Sequence, residues 1–275
     1  MKTALLQITS TDDPAENLSM VRAMMREAAA AGAGYILTPE VTNCVSASRA
    51  HQNSVLHLEA DDPTLLGLRE TAQELGVWLT IGSLALKTED ADGRFANRQF
   101  LIAPDGEIRA RYDKIHMFDV QVSAEETYRE SAGYRPGKQA VVAEVPFATL
   151  GLTICYDLRF PKLFNALANA GADVMMVPAA FSRVTGAAHW HALLRARAIE
   201  TGSWVLAPAQ CGDNAEHRRT YGHSLVISPW GEIVAEAGVE PSILYVDLDR
   251  TQAQEARRRV PSLTHEIDFD GPDTL

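Results

Sequence analysis

The chain is expected to fold as an α/β protein in four layers, α-β-β-α, and three observations lead there. Short apolar runs of strand type alternate with helix-period segments from Thr3 to Leu86, and alternation returns after Ala148. Between the two series lie hairpin signals instead of helices. No Pro/Gly/Ser-rich linker and no shift in composition divides the 275 residues. Two βα series joined by hairpins give two sheets, each covered by helices on its outer face. Packing the bare faces together makes the sandwich, and one domain is expected over residues 1–275.

The elements follow in order. Thr3–Ile8 reads as a strand. Pro14–Ala31 reads as a helix whose apolar face carries Leu18, Val21, Met24 and Met25. Gly32 and Gly34 stop it. Tyr35–Glu40 is a short buried-type strand ending on a carboxylate, Pro63–Leu75 a helix with Gly76 as its stop, and Val77–Leu86 a strand. Arg94–Ile102 and Glu107–Tyr112 flank the turn signal Pro104-Asp105-Gly106. Residues 116–139 have no period, and a loop of that length in a compact domain is more often functional than idle. Val141–Val145 and Ala148–Cys155 are strands, Pro161–Asn169 a helix, Ala172–Pro178 a strand, Ala187–Thr201 a helix and Ser203–Pro208 a strand. Ser224–Ser228 and Glu232–Ala235 form a hairpin about Pro229-Trp230-Gly231. Ile243–Val246 is the last strand and Thr251–Arg259 the last helix.

Composition excludes several function classes. Hydrophobic residues at 46% and charged residues at 22% are ordinary for a globular protein. A net charge of −11 argues against general nucleic-acid or membrane-surface binding, while leaving room for a local basic pocket. Three widely spaced cysteines, Cys44, Cys155 and Cys211, form neither a disulfide framework nor a metal pair. The N-terminal run turns polar too early for a signal peptide, and no apolar run reaches spanning length. The expected location is the cytoplasm.

Chemistry concentrates at strand ends, where ligands of open α/β sheets bind. Gly151-Leu152-Thr153-Ile154-Cys155 is an apolar run ending on a thiol, with a polar turn and then Pro161 at a helix start. A lone cysteine is usually a small buried hydrophobe, so Cys155 gains meaning only from its company. Glu40 ends one strand and suits a general base. Lys114, after Tyr112-Asp113, ends another and suits a cation facing an oxyanion. Each alone would pass for a solvated surface residue; together they supply a nucleophile, a base and an oxyanion partner for amide hydrolysis. The same rule selects Pro178-Ala179 and Ala209-Gln210-Cys211. His189-Trp190-His191 hints at a metal, but no third ligand stands at matching spacing, so neither a metal nor any other cofactor is expected.

Three segments, Leu37-Thr38-Pro39-Glu40, Tyr112-Asp113-Lys114-Ile115-His116 and Ile154-Cys155-Tyr156-Asp157-Leu158-Arg159-Phe160-Pro161, resemble the nitrilase, or carbon–nitrogen hydrolase, superfamily. The resemblance covers nearly the whole chain and implies the α-β-β-α sandwich and a Glu-Lys-Cys triad, Glu40, Lys114 and Cys155. It also implies a second glutamate, Glu130, which spacing alone would not single out, and an oxyanion contact from the backbone N–H of Tyr156. Tyr156-Asp157 after the cysteine, where true nitrilases usually have Trp-Glu, points to the Nit-type amidases. Thr185-Gly186-Ala187-Ala188-His189-Trp190 and Tyr221-Gly222-His223-Ser224 are most similar to the deaminated glutathione amidases. His191 and Lys162 stand where these relatives often have glutamate.

The implied activity is release of ammonia from a small linear amide bearing carboxylates, through a thioester, with deaminated glutathione as the leading substrate. ω-Amidase action on α-ketoglutaramate and hydrolysis of N-carbamoyl amino acids are the alternatives. An inactive interaction protein of the same fold is the non-enzyme alternative, disfavoured by the intact triad. Arg183, on the loop after Pro178, is the first candidate for reading the substrate carboxylate, with Arg218 and Arg219 next; Ala179 and Tyr221 are further substrate-binding candidates. By the same analogy the chain forms a homodimer or higher homo-oligomer through the helices at 161–170 and 187–201.

Overall fold

The computed structural model describes residues 1–122, 127–215, 218–265 and 267–271. It begins with β1 (Lys2–Gln7), α1 (Pro14–Ala30), β2 (Tyr35–Leu37), α2 (Arg49–Val55), α3 (Pro63–Leu75) and β3 (Trp78–Leu86), then the hairpin β4 (Ala96–Ile102) and β5 (Ile108–Asp113). The stretch expected as a loop over 116–139 holds a small pair, β6 (Asp119–Gln121) and β7 (Thr127–Arg129), and a 3-10 turn at Glu130–Ala132; its residues 123–126 lie outside the described ones. There follow β8 (Val141–Val145), β9 (Ala148–Leu152), α4 (Pro161–Asn169), β10 (Val174–Met176), α5 (Arg183–Thr201), β11 (Trp204–Ala207), β12 (Leu225–Ile227), β13 (Ile233–Glu236), β14 (Ser242–Asp247) and α6 (Thr251–Arg259).

The strands form two six-stranded sheets, ordered β14-β1-β2-β3-β4-β5 and β13-β12-β11-β10-β9-β8. Side chains alternate across a strand, and here that alternation divides the core. Leu5, Tyr35 and Leu37 of the first sheet pack in one cluster with Leu150, Leu152, Met176, Val205 and Val226 of the second. Their chain neighbours Ala4, Leu6 and Ile36 face the other way, against Val21, Met25 and Ala28 of α1 and Leu65, Leu68 and Ala72 of α3. On the far side Phe164 of α4 and Trp190 and Leu194 of α5 cover the second sheet. This is the expected four-layer sandwich. A bond between the sheets marks its centre: Tyr35 Oη lies 2.7 Å from Thr80 Oγ1 and 3.4 Å from Met176 Sδ.

The helix ends follow local chemistry. Asp13 and Asp62 cap α1 and α3 through their carboxylates, each followed by proline at the first helical position. Gly76, at φ +64°, ends α3 in the left-handed conformation. Two elements differ from expectation. α2 has no apolar stripe in its sequence and stands on Ser48, whose hydroxyl accepts from His51 N–H. α5 starts four residues before the expected Ala187, because Ser182 caps it by accepting from Thr185 N–H.

Two glycines bring the site-bearing segments close to their neighbours. A Cβ at Gly82 would lie 2.0 Å from Thr38 O and 2.4 Å from Pro39 O, so β3 passes directly behind the loop that presents Glu40. A Cβ at Gly137 would lie 2.1 Å from Asp113 O, and Gly137 N–H donates to Lys114 O at 2.7 Å. Since the obstacles are backbone atoms, Gly82→Ala should destabilise the fold by about 1–3 kcal/mol. Gly238→Ala, with open space around its Cβ, should stay within about 0.5 kcal/mol. Urea denaturation of both variants checks this, and equal effects would show that the close approach at Gly82 is easily relieved.

Candidate active site

The thiol stands on a strained turn. β9 ends at Leu152, and after Thr153 and Ile154 the chain enters a 3-10 turn over Cys155–Arg159. Cys155 has φ +49°, a left-handed conformation that costs a non-glycine residue of order 1–3 kcal/mol unless its surroundings hold it there. They do. Cys155 N–H donates to Pro178 O at 2.9 Å. Two residues on, the fully buried Asp157 carboxylate binds the turn to its neighbours. Its Oδ2 accepts from Ile154 N–H at 2.9 Å and Tyr112 Oη at 2.7 Å, and its Oδ1 accepts from His116 N–H at 3.0 Å and lies 2.7 Å from His116 Nδ1. His116 in turn stacks on Phe160, ring centroids 3.5 Å apart. The N–H of Tyr156 belongs to the first turn of this short helix, where amides have no intrahelical acceptor.

Beside the thiol lies a buried cluster of charges. Lys114, one residue past β5, is 2% exposed. Its Nζ donates to Glu40 Oε1 at 2.8 Å and to both Glu130 oxygens at 2.9 Å. Glu40 Oε2 accepts from Ala180 N–H at 2.9 Å, and Glu130 Oε2 accepts from Phe118 N–H at 2.7 Å. Asn97, inside β4, joins the two acids: its Nδ2 donates to Glu40 Oε1 at 2.9 Å and to Glu130 Oε1 at 3.3 Å. The register that pairs β4 with β5 sets this up, since Lys114 N–H donates to Asn97 O at 3.0 Å.

The titrations of these groups are coupled. Burial pushes the Glu40 carboxyl up, but the charge and hydrogen bond of Lys114, helped by a bond from the Cys155 thiol, leave it below its ordinary value. Burial pulls Lys114 down, and the carboxylates of Glu130 and Glu40 more than reverse this, so the ammonium holds its proton well above the usual range. Burial and then Glu40 push the Cys155 thiol well up, against the opposing pull of Lys114 and the Ala180 N–H. The resting site is therefore a neutral thiol beside an ionised Glu40 and a charged Lys114.

Glu40, Lys114, Glu130, Cys155 and Tyr156 all line one cavity of about 640 Å³. The three expected substrate residues do not. Arg183 opens α5 and turns outward, where Nη2 donates to Asp213 at 3.2 Å and the side chain is 48% exposed. Ala179 is fully buried with its N–H bound to Pro208 O; its neighbour Ala180 lines the cavity instead. Tyr221 donates its N–H to Phe181 O and covers Gly186, while Phe181 faces the cavity. Among the described residues, the cations lining the cavity are Lys114, Arg49, Arg129 and Arg218. Cys44 lines it too, whereas Cys211 is buried away from it beside Thr9. Asn97 escaped the sequence reading, because a polar residue inside an ordinary strand carries no local signal. His189 and His191 diverge on α5, as residues two apart on a helix do: His189 Nδ1 lies 3.3 Å from Arg159, and His191 turns to Glu236.

A carbon–nitrogen hydrolase family model matches residues 2–258. A deaminated glutathione amidase of Yersinia enterocolitica is 39% identical over 263 residues, covering 95% of this chain and 91% of that one. Among solved structures, the C. elegans NitFhit protein superposes with a TM-score of 0.89 at 31% identity; the match covers 96% of this chain and 64% of that chain. A mutant of the amidase from Nesterenkonia sp. AN1, showing Michael addition of acrylamide at its active site cysteine, has a TM-score of 0.78 at 28% identity and covers 95% and 98%. With the family matched over nearly its whole length, this chain belongs to the carbon–nitrogen hydrolases of the nitrilase superfamily, as a Nit-type amidase acting on carbon–nitrogen bonds other than peptide bonds.

Proposed function

We propose that this amidase releases ammonia from a small linear amide bearing carboxylates, through a thioester on Cys155, with deaminated glutathione as the leading substrate. The observation that carries the reading is the meeting of Glu40, Lys114, Glu130 and Cys155 at one cavity. The Yersinia enterocolitica relative's name supports the choice of substrate.

Glu40 takes the thiol proton as sulfur attacks the amide carbon, and the carbonyl electrons move onto oxygen. Because Glu40 is a weak base and the thiol a weak acid in the resting site, proton transfer and attack proceed together. The oxyanion is met by Lys114 and the Tyr156 N–H. The ammonium has three N–H donors, and Glu40 and the two Glu130 oxygens already engage it. Protonation of Glu40 weakens its hold on Lys114 just as the oxyanion forms, so one donor passes from acid to substrate. Glu130 keeps the ammonium in place. The carbonyl then re-forms, the C–N bond breaks, and Glu40 returns its proton to the leaving nitrogen. Water deprotonated by Glu40 attacks the thioester, and the thiol leaves with that proton.

Arg218 takes the part first given to Arg183. One of its five N–H donors is used on Ala180 O at 3.2 Å, and its guanidinium lies over the Tyr128 ring at 5.7 Å. Arg49 is committed elsewhere: it donates to Gly133 O and Gly93 O and stacks on Phe95. The single-domain extent over 1–275 and assembly as a homodimer or higher homo-oligomer belong to the same reading. Val184 and Ile199, each 55% exposed on α5, support the assembly.

Three outcomes are expected. Cys155→Ala should abolish ammonia release from a panel of deaminated glutathione, α-ketoglutaramate, an N-carbamoyl amino acid and a neutral short amide, with the fold retained by circular dichroism; turnover near wild type would end the thioester reading. The activity should persist in acid. A depressed Glu40 carboxyl stays ionised below the ordinary value of about 4.3, so kcat/KM holds from neutral pH down past that point and falls only below it. An acid limb centred above pH 5, with full recovery on return to pH 7, would remove Glu40 as the base. Arg218→Ala should lower kcat/KM for a dicarboxylate amide by about one to two orders of magnitude, the worth of a charge-assisted hydrogen bond of about 1.5–3 kcal/mol. A neutral amide should be unaffected, and an equal loss on both would make Arg218 a support of the loop.

A further inference from the structure

Away from the reaction cavity, three side chains from three elements converge. His191 Nε2 of α5 and His223 Nδ1, on the segment before β12, each lie 2.9 Å from the same oxygen, Oε1 of Glu236 at the end of β13. The three ligand atoms lie within 4.8 Å of one another. None of the three residues lines the reaction cavity.

The backbone holds this cluster tightly. His223 has φ +53° and follows Gly222 at φ +70°, so the chain twists through two left-handed residues to aim the ring. Such strain persists only where the surroundings over-determine it, and it gathers at ligand clamps. Here Trp190 Nε1 donates to His223 O at 2.8 Å and His223 N–H donates to Gly238 O at 3.0 Å. Trp190, fully buried, immediately precedes His191, so its indole helps to place both imidazoles, while Gly238 lies two residues past Glu236. The two imidazoles reach one carboxylate oxygen from separate elements, which gathers three potential ligand atoms at one point. Two nitrogens and one carboxylate oxygen form a ligand set suited to zinc, with bonds near 2.0–2.2 Å. Each side chain remains between a quarter and about a third exposed, so solvent can supply a fourth ligand.

We infer that His191, His223 and Glu236 form a zinc-binding site that ties α5 to β13 outside the reaction cavity. The two imidazoles bind as neutral ligands and Glu236 as a carboxylate. The amidase chemistry runs without this ion, so the site acts as a staple.

The test is a zinc titration of the full chain by competition with a chromophoric chelator. It is made on a Cys155→Ala background so that the thiol cannot compete. One zinc per chain is expected, with thermal stability rising as zinc is added. His191→Gln and Glu236→Gln, both at partly exposed positions, should each weaken binding by at least about tenfold, the least that loss of even an outer partner costs a metal site. His223→Asn removes a ligand while asparagine tolerates the left-handed backbone, and it should do the same. Cobalt(II) added in place of zinc should show visible ligand-field bands that vanish in the variants. Absence of binding at micromolar zinc would overturn the site, as would affinity unchanged in all three variants. Parallel melting curves of the metal-free proteins separate loss of a ligand from loss of the fold.

Discussion

The buried ammonium of Lys114, held between Glu40 and Glu130, is the constraint on which the rest of the site depends. Removing three charged groups from water is costly, and replacing such a cluster by apolar side chains often stabilises a protein. Here the cluster is retained in a largely buried position and bonded by Asn97, by the N–H groups of Ala180 and Phe118, and by the two acids themselves. Its members come from the loop after β2, the end of β5 and the 3-10 turn after β7. Ala180 follows β10 in the other sheet, so the ion cluster also sets how the two sheets meet. A cation fixed in advance needs no reorganisation when negative charge develops beside it, which is the main source of electrostatic catalysis in such sites.

The turn that carries Cys155 is organised separately, by Asp157. Its four contacts tie together β5, the segment after it and the turn itself, through Tyr112, His116 and Ile154. The left-handed backbone of Cys155 and the position of the ammonium therefore share one strand: Tyr112 supports Asp157 from β5, and Lys114 leaves that strand two residues later. Shifting β5 along β4 would displace both.

Much of this was legible in the sequence for an identifiable reason. Strand ends announce themselves, because an apolar run stops and a charged or thiol group follows; Glu40, Lys114 and Cys155 all stand at such breaks. Glu130 lies in a stretch with no period and was reached only through resemblance. Asn97 acts through the register of β4 on β5, a pairing that no local pattern encodes. Arg183, expected to read a substrate carboxylate, is turned outward by a capping detail, since Ser182 starts α5 four residues early, while Arg218 lines the cavity. The side chains gathered around His191, His223 and Glu236, lie 32 and 45 residues further on, so no local spacing shows them together.

The pairing of β1 with β14 bears on how the chain is made. β1 lies between β2 and β14, with Lys2 opposite Asp247 and Gln7 opposite Ser242. On a ribosome adding about 5–20 residues per second, the later strand emerges roughly ten seconds to a minute after the earlier one. Throughout that interval the first sheet has an open edge along an apolar strand, a template for pairing with other chains. Completion of the sheet waits for a contact of very long sequence separation, which slows folding. The first sheet, with Glu40 and Lys114 already synthesised, thus passes that interval with β1 unpaired on one side.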